Sequence, residues 1–220
     1  MTTEQFTNNL VALRRWDLEI VRRVLSGTID IAESSPLVAG AWKLASDLHK
    51  GRLRDDNEPY FNHCIRVRNN AIAIIANRQT FGTMGEDIKW LATADGLALA
   101  SAAAYCHDNI EDGKDWKTEY DALSKLDFRL AIVVRTLSRE KGESYYDFIY
   151  RIRDVNLWLA ERSPKMERIP ENLVLLGRII KAADLQDNLK PDDHGSRADK
   201  YRFALDVIDP DREMRRRELK

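Results

Sequence analysis

Residues 86–112 read EDIKWLATADGLALASAAAYCHDNIED. Leu91, Ala94, Leu97, Ala98, Ala102 and Tyr105 recur at three- and four-residue spacing, which predicts a helix over 86–107. So much alanine implies close packing on several sides. The helix runs into His107, Asp108, Asn109, Ile110, Glu111 and Asp112. At helical spacing, His107 faces Glu111 and Asp108 faces Asp112 one turn on. Three acids at the end of a buried helix repel one another unless a cation or a cationic substrate compensates them. The partial negative charge of a helix C-terminus adds to that cost.

Working outward, the same periodicity covers most of the chain. Leu10, Leu13, Trp16, Ile20, Val21 and Val24 form one apolar stripe closed by Gly27. Ser35-Pro36 starts a second helix, carrying Val38, Ala41, Leu44, Ala45 and Leu48 and ending at Gly51. A polar loop over 52–59 leads to a helix over 60–78, and further helices are expected over 127–138, 145–161, 172–189 and 197–207. Alternating strand patterns are missing, and the β-branched runs 132–134 and 179–180 sit inside helical periods. The expected fold class is all-α, a single helical bundle domain over 1–220, with an exposed loop over 163–171. The five tryptophans (Trp16, Trp42, Trp90, Trp116 and Trp158) read mainly as core. Arg212, Arg215, Arg216, Arg217 and Lys220 make a basic end over 208–220, read as a solvated helix end or tail, the sharper reading being a lid or subunit contact that helps hold a phosphorylated ligand.

The 220 residues suffice for a core without covalent staples. Thirty-five Lys and Arg against 36 Asp and Glu give a net charge of −1, so no global positive field draws nucleic acid. Two distant cysteines, Cys64 and Cys106, exclude a disulfide framework and a CxxC zinc site, and suit a reducing cytoplasm. Glu4, Arg14, Arg15, Asp17 and Glu19 are not the start of a secretory signal, and no apolar run is long enough for a membrane. The chain is compatible with self-association, without a feature that demands it.

Two further clusters join the first. Residues 179–188 read IIKAADLQDN and set Asp184, Asp187 and Asn188 at helical spacing behind an apolar face. Residues 58–63 read EPYFNH and place His63 in the first turn of a helix. His63, His107, Asp108 and Asp184 thus supply two imidazoles and two carboxylates, a set that suits Mn, Fe, Co, Ni or Zn and leaves room for water and a phosphate oxygen. His49 reads as a helix-end residue supporting that set, His194 as solvent-exposed, Cys106 as core, and Tyr60 as a bonded phenol packed beside the cluster.

His63, the His107-Asp108 doublet and the distant Asp184 resemble the H…HD…D signature of the HD-domain metal-dependent phosphohydrolases. His49 to Arg54 with Glu58-Pro59-Tyr60, then His107 to Asp112, then Lys181-Ala-Ala-Asp184 with Asn188 are similar, in order, to the hydrolase domain of RelA/SpoT-type enzymes and stand-alone small alarmone hydrolases. These motifs fall within about 40–190. The resemblance implies one divalent metal, Mn²⁺ in much of that family, on His63, His107, Asp108 and Asp184. It implies that Glu111 and Asp112 orient or deprotonate water, Arg54 flanks a nucleobase, Lys181 faces phosphate, and Asn188 bonds a ribose or phosphate oxygen. Asp55 stands where the family often has a basic residue, Ala182 where it often has Leu, and Asp187 where it often has His. Residues 134–138 read VRTLS in place of a Val-Thr-Lys pattern, and 153–171 resembles an insertion.

No GxxxxGK[ST] loop is present. The expectation is a stand-alone hydrolase of a purine nucleotide, removing 3′-pyrophosphate from guanosine tetra- or pentaphosphate. The alternatives are a 3′-pyrophosphorylated adenosine nucleotide or the 2′-phosphate of NADPH as substrate, or a nucleotide-binding regulatory module without turnover.

Overall fold

The computed structural model describes residues 27–81, 86–162, 167–189 and 194–209. The helix expected over 10–24 and the basic segment 210–220 lie outside the described residues. Among the described residues the protein is all-α, with no strand beyond an isolated bridge between Leu53 and Pro59. After a helical segment at 27–33, the elements are α1 (Pro36–Leu48), α2 (Tyr60–Phe81), α3 (Glu86–Leu91), α4 (Ala94–Tyr105), α5 (Asn109–Asp112) and α6 (Trp116–Leu126). α7 (Phe128–Leu137), α8 (Tyr145–Arg153), α9 (Val155–Arg162), α10 (Glu171–Asn188) and α11 (Ser196–Ile208) follow.

α4 is buried from Gly96 to Tyr105, all round rather than on one face. Its alanines let α1 and α2 approach it, while α2 also lies along α10. This α2–α4–α10 layer carries the core, with Ile72, Ile75, Leu97, Leu99 and Ile180 sealed from solvent. Arg68 is buried within it, donating to Ser101 Oγ at 3.2 Å and pairing with Glu33 of the segment 27–33. A buried cation is tolerable only when so matched.

The single helix expected over 86–107 is broken. Thr93 caps α4, its hydroxyl accepting from Gly96 N at 3.2 Å and donating to Trp90 O at 2.7 Å. A Cβ on Gly96 would meet Trp90 O at 2.3 Å and Leu91 Cα at 2.7 Å, so the glycine lets α4 begin against the backbone of α3. α4 then ends at Tyr105, which leaves His107 and Asp108 in a turn rather than on a helix. The helix expected over 145–161 likewise breaks at Asp154, whose carboxylate takes the Arg153 guanidinium. α6 is an addition to the sequence reading: it is mostly polar and buries only Leu123, but Asp115 caps it by accepting from Thr118 N at 3.0 Å. Trp42 and Trp116 are half exposed rather than core, whereas Trp90 packs partly against the core. Cys106 is buried and His194 exposed, as read from the sequence.

Arg151 of α8 ties down the end of α7. It is buried, donates to the carbonyls of Thr136 and Ser138 at 3.1 and 2.8 Å, and meets Glu143 Oε1 at 2.8 Å. Burial pushes the Glu143 carboxyl up, but the Arg151 guanidinium and the Glu140 N–H more than reverse this and hold it below its usual range. A depressed carboxyl stabilises the fold above its unfolded pKa, and that contribution is lost as pH falls through the folded value. Glu143→Gln should therefore cost about 1–3 kcal/mol at pH 7 in urea unfolding, with the deficit shrinking below about pH 4. An equal deficit at pH 7 and pH 3 would contradict this account of the contact.

Candidate metal centre

Three elements bring the predicted ligands together. A tight loop enters α2: Arg54 N donates to Glu58 O and Tyr60 N to Arg52 O, each at 2.9 Å, and Asn57 takes a left-handed φ of 63°. It sets Tyr60 and His63 into the first turn of α2. The turn between α4 and α5 presents His107 and Asp108, and Asp184 comes from near the C-terminal end of α10. His63, His107 and Asp184 are all buried.

Each imidazole is fixed through Nδ1. His63 Nδ1 lies 2.7 Å from Asp187 Oδ2, and His107 Nδ1 lies 2.9 Å from the Ala104 carbonyl. Carboxylate and carbonyl oxygens only accept, so each Nδ1 is the donor and each Nε2 is left for a proton or a metal. The Nε2 atoms converge. His63 Nε2 is 3.3 Å from Asp184 Oδ1; His107 Nε2 is 3.0 Å from Asp108 Oδ2 and 3.8 Å from Asp184 Oδ1. The His107 Nε2–Asp108 approach lacks hydrogen-bond direction, so this buried nitrogen has no hydrogen-bond partner. Ligand atoms of His63, His107 and Asp108 all lie within 4.8 Å of one another, and this buried group could hold a metal ion. Imidazole held by a carboxylate or carbonyl at its far nitrogen is the usual arrangement of a metal-ligating histidine.

The charge balance differs from the one read in the sequence. The chain's own cations offset much of the acid: Lys181 Nζ donates to Asp184 Oδ2 at 2.8 Å, and Arg66 Nε to Asp187 Oδ1 at 2.6 Å. Burial pushes the Asp184 carboxyl up, but Lys181, His63 and His107 together hold it well below the carboxylate range. Burial acts on Asp108 in the same sense and is outweighed by His107. For His107, burial lowers the pKa while the charges of Asp108 and Asp184 raise it, with a net rise to about 9. Nε2 is thus the atom for which a proton and a divalent ion would compete, so binding an ion would release a proton. The convergent nitrogens, rather than unbalanced acid, are what point to a metal.

The other predicted residues separate into two groups. Arg54, Lys181 and Asn188 join the centre as a clamp. Arg54 donates to Asp187 Oδ2 at 3.0 Å and to Asn188 Oδ1 at 2.8 Å, while Asn188 Nδ2 donates to Asp184 Oδ1 at 2.6 Å. Glu111 and Asp112 on α5 point apart. Glu111 Oε1 accepts from the backbone N–H of Arg139, whereas Asp112 pairs with Arg52, its Oδ2 standing 4.0 Å from His49 Nδ1. His49 is buried and stacked on Tyr60 at 4.5 Å, and the Tyr60 hydroxyl donates to Asp108 Oδ2. Two supporting residues go beyond the sequence reading: Arg66 is not named there, and Asp187 is grouped with Asp184 and Asn188 but given no role. Their signal was spacing: each lies three residues beyond a ligand, Asp187 after Asp184 and Arg66 after His63.

Comparison of the chain with protein-family models, with curated proteins and with solved structures gives no match.

Asp187 lies between His63 and two arginines. Burial raises its carboxyl pKa, but His63 and Arg66 bring it down to about 2. Asp187→Asn removes the charge that fixes the imidazole and should weaken Mn²⁺ or Zn²⁺ binding about 10–100-fold in a chelator-competition titration, with the circular dichroism spectrum retained. Unchanged affinity would show that His63 is not oriented through this carboxylate.

Proposed function

We propose that the protein is a metal-dependent phosphohydrolase acting on a purine nucleotide that carries a 3′-pyrophosphate, guanosine tetraphosphate being the first candidate. The observation that carries this reading is the convergence of the His63 and His107 Nε2 atoms on the buried Asp184 and the partly buried Asp108, with further acids one turn beyond the doublet. The donor set is two imidazole nitrogens with carboxylate oxygen, which suits Mn²⁺ and also Zn²⁺, Co²⁺, Fe²⁺ or Ni²⁺. His63, His107 and Asp108 would hold the ion with Asp184 as a fourth ligand; when bound, it lowers the pKa of water and offsets phosphoryl charge.

The reaction is hydrolytic. Water adds to the phosphorus borne by the ribose 3′ oxygen, the bond to that oxygen breaks, the oxygen takes up a proton, and pyrophosphate leaves. Glu111 or Asp112 would accept the proton from the water. Lys181, already beside Asp184, would face the phosphoryl oxygens, and Asn188 would bond a ribose or phosphate oxygen. Arg54, bonded along its edge to Asp187 and Asn188, acts in this reading as a brace for the ligand helix. Cys64 and Cys106 are both buried and free, which supports a cytoplasmic setting. No helix among the described residues is long and apolar enough to cross a membrane.

The test is product release from guanosine tetraphosphate, its adenosine counterpart and NADPH, each with Mn²⁺, Co²⁺ or Zn²⁺. Cleavage of the 3′-pyrophosphates is expected. Glu111→Gln should keep metal and nucleotide binding while losing roughly 10²–10⁴-fold in turnover. Cleavage of NADPH alone would reassign the substrate, and failure with every nucleotide would leave a binding module.

A further inference from the structure

The turn that carries the metal-site doublet runs into α5, and beyond α5 the surface opens into a cavity of about 830 Å³. It is lined by Ile110 and Glu111, by Trp116 and Arg135, and by residues 138–143. That volume lies within the range of small-molecule sites. Trp116 is 50% exposed, on a helix that buries only Leu123. Cations lie near its ring, Arg135 Cζ at 5.6 Å and Lys117 Nζ at 5.7 Å from the centroid.

The charges of the lining sort into partnered and open groups. Arg135 is paired with Glu140, Glu143 with Arg151, and the Glu111 carboxylate takes the Arg139 N–H. The Arg139 guanidinium and the Lys141 ammonium, both exposed, have no acidic partner among the described residues. The cavity therefore offers an aromatic face, two open cations and a direct approach to Glu111, one of the two proposed catalytic acids. A ligand that matches all three has a flat π-system and a polyanionic group. We propose that this cavity is the nucleotide subsite, with the base against Trp116 and phosphates at Arg139 and Lys141. The assignment deepens the proposed hydrolase reading and moves the base away from Arg54, whose guanidinium is committed to Asp187 and Asn188.

The experiment is calorimetric titration of the full chain, metal-free, with guanosine 5′-diphosphate, guanosine and inorganic pyrophosphate as probes. Binding of the diphosphate is expected to exceed that of either fragment. Trp116→Ala should weaken it roughly 5- to 150-fold, the range of base–aromatic stacking, while Trp116→Phe, which keeps a ring, stays close to wild type. Arg139→Ala with Lys141→Ala should weaken pyrophosphate as well as the diphosphate, with the weakening reduced in high salt. Mn²⁺ affinity should be unchanged in all these variants. Equal diphosphate affinity in wild type, Trp116→Ala and the double variant overturns the assignment, as does absence of binding to wild type at millimolar probe. Trp116-dependent binding without hydrolysis of any nucleotide sustains the subsite and removes the hydrolase reading. Hydrolysis with a KM untouched by Trp116→Ala does the reverse.

Discussion

Burying carboxylates in an apolar helix junction is costly, and the arrangement of this protein around α2, α4 and α10 follows from meeting that cost. Asp184 sits on the core side of α10 among isoleucine, leucine and alanine neighbours, where an isolated anion would protonate or unfold its surroundings. Lys181, Asn188, His63 and His107 surround it. Those four each need positions of their own. Arg54 braces Asn188, Asp187 holds His63, and Arg66 and Arg54 hold Asp187. The result is a connected set of bonds that crosses from the entry loop of α2 to the end of α10, so the site and the helix packing are parts of one arrangement.

The break after Tyr105 belongs to the same logic. A continuous helix through 107 would have kept the polar residues on helical faces and required the buried α4 to carry them inward. Ending α4 at Tyr105 lets His107 fold back so that its Nδ1 reaches the Ala104 carbonyl, and puts Asp108 within reach of the Tyr60 hydroxyl. The same reversal places Glu111 and Asp112 on a separate short helix, directed to different neighbours: the 139 backbone for one, Arg52 for the other.

The helical class and the grouping of His63, His107, Asp108 and Asp184 were legible because they rest on periodicity and on residue types with few other uses. Local breaks were less legible. Thr93 and Gly96 carry a capping signal, but the alanine run around them reads as uninterrupted helix unless the backbone contact with α3 is known. α6 has a polar sequence with little apolar face, so periodicity does not reveal it, although Asp115 marks its start. Partners distant in sequence were hardest: nothing local says that Arg54 meets Asp187 and Asn188 rather than a ligand, or that Trp116 stays half exposed. Those facts are set by tertiary packing, and the charge tally at the centre changes sign of emphasis once Lys181 and Arg66 are counted.

The central claim is that the two imidazole Nε2 atoms and their carboxylates form one site for a divalent ion. Its most direct measurement is the electron paramagnetic resonance signal of free Mn²⁺ during titration into the metal-free full chain, at pH 7.5, alongside a His63→Ala, His107→Ala variant. The account predicts uptake of one ion per chain by the wild type, with proton release, and none by the variant at the same concentrations. Free Mn²⁺ rising identically in both titrations, with the wild type folded throughout, would contradict it.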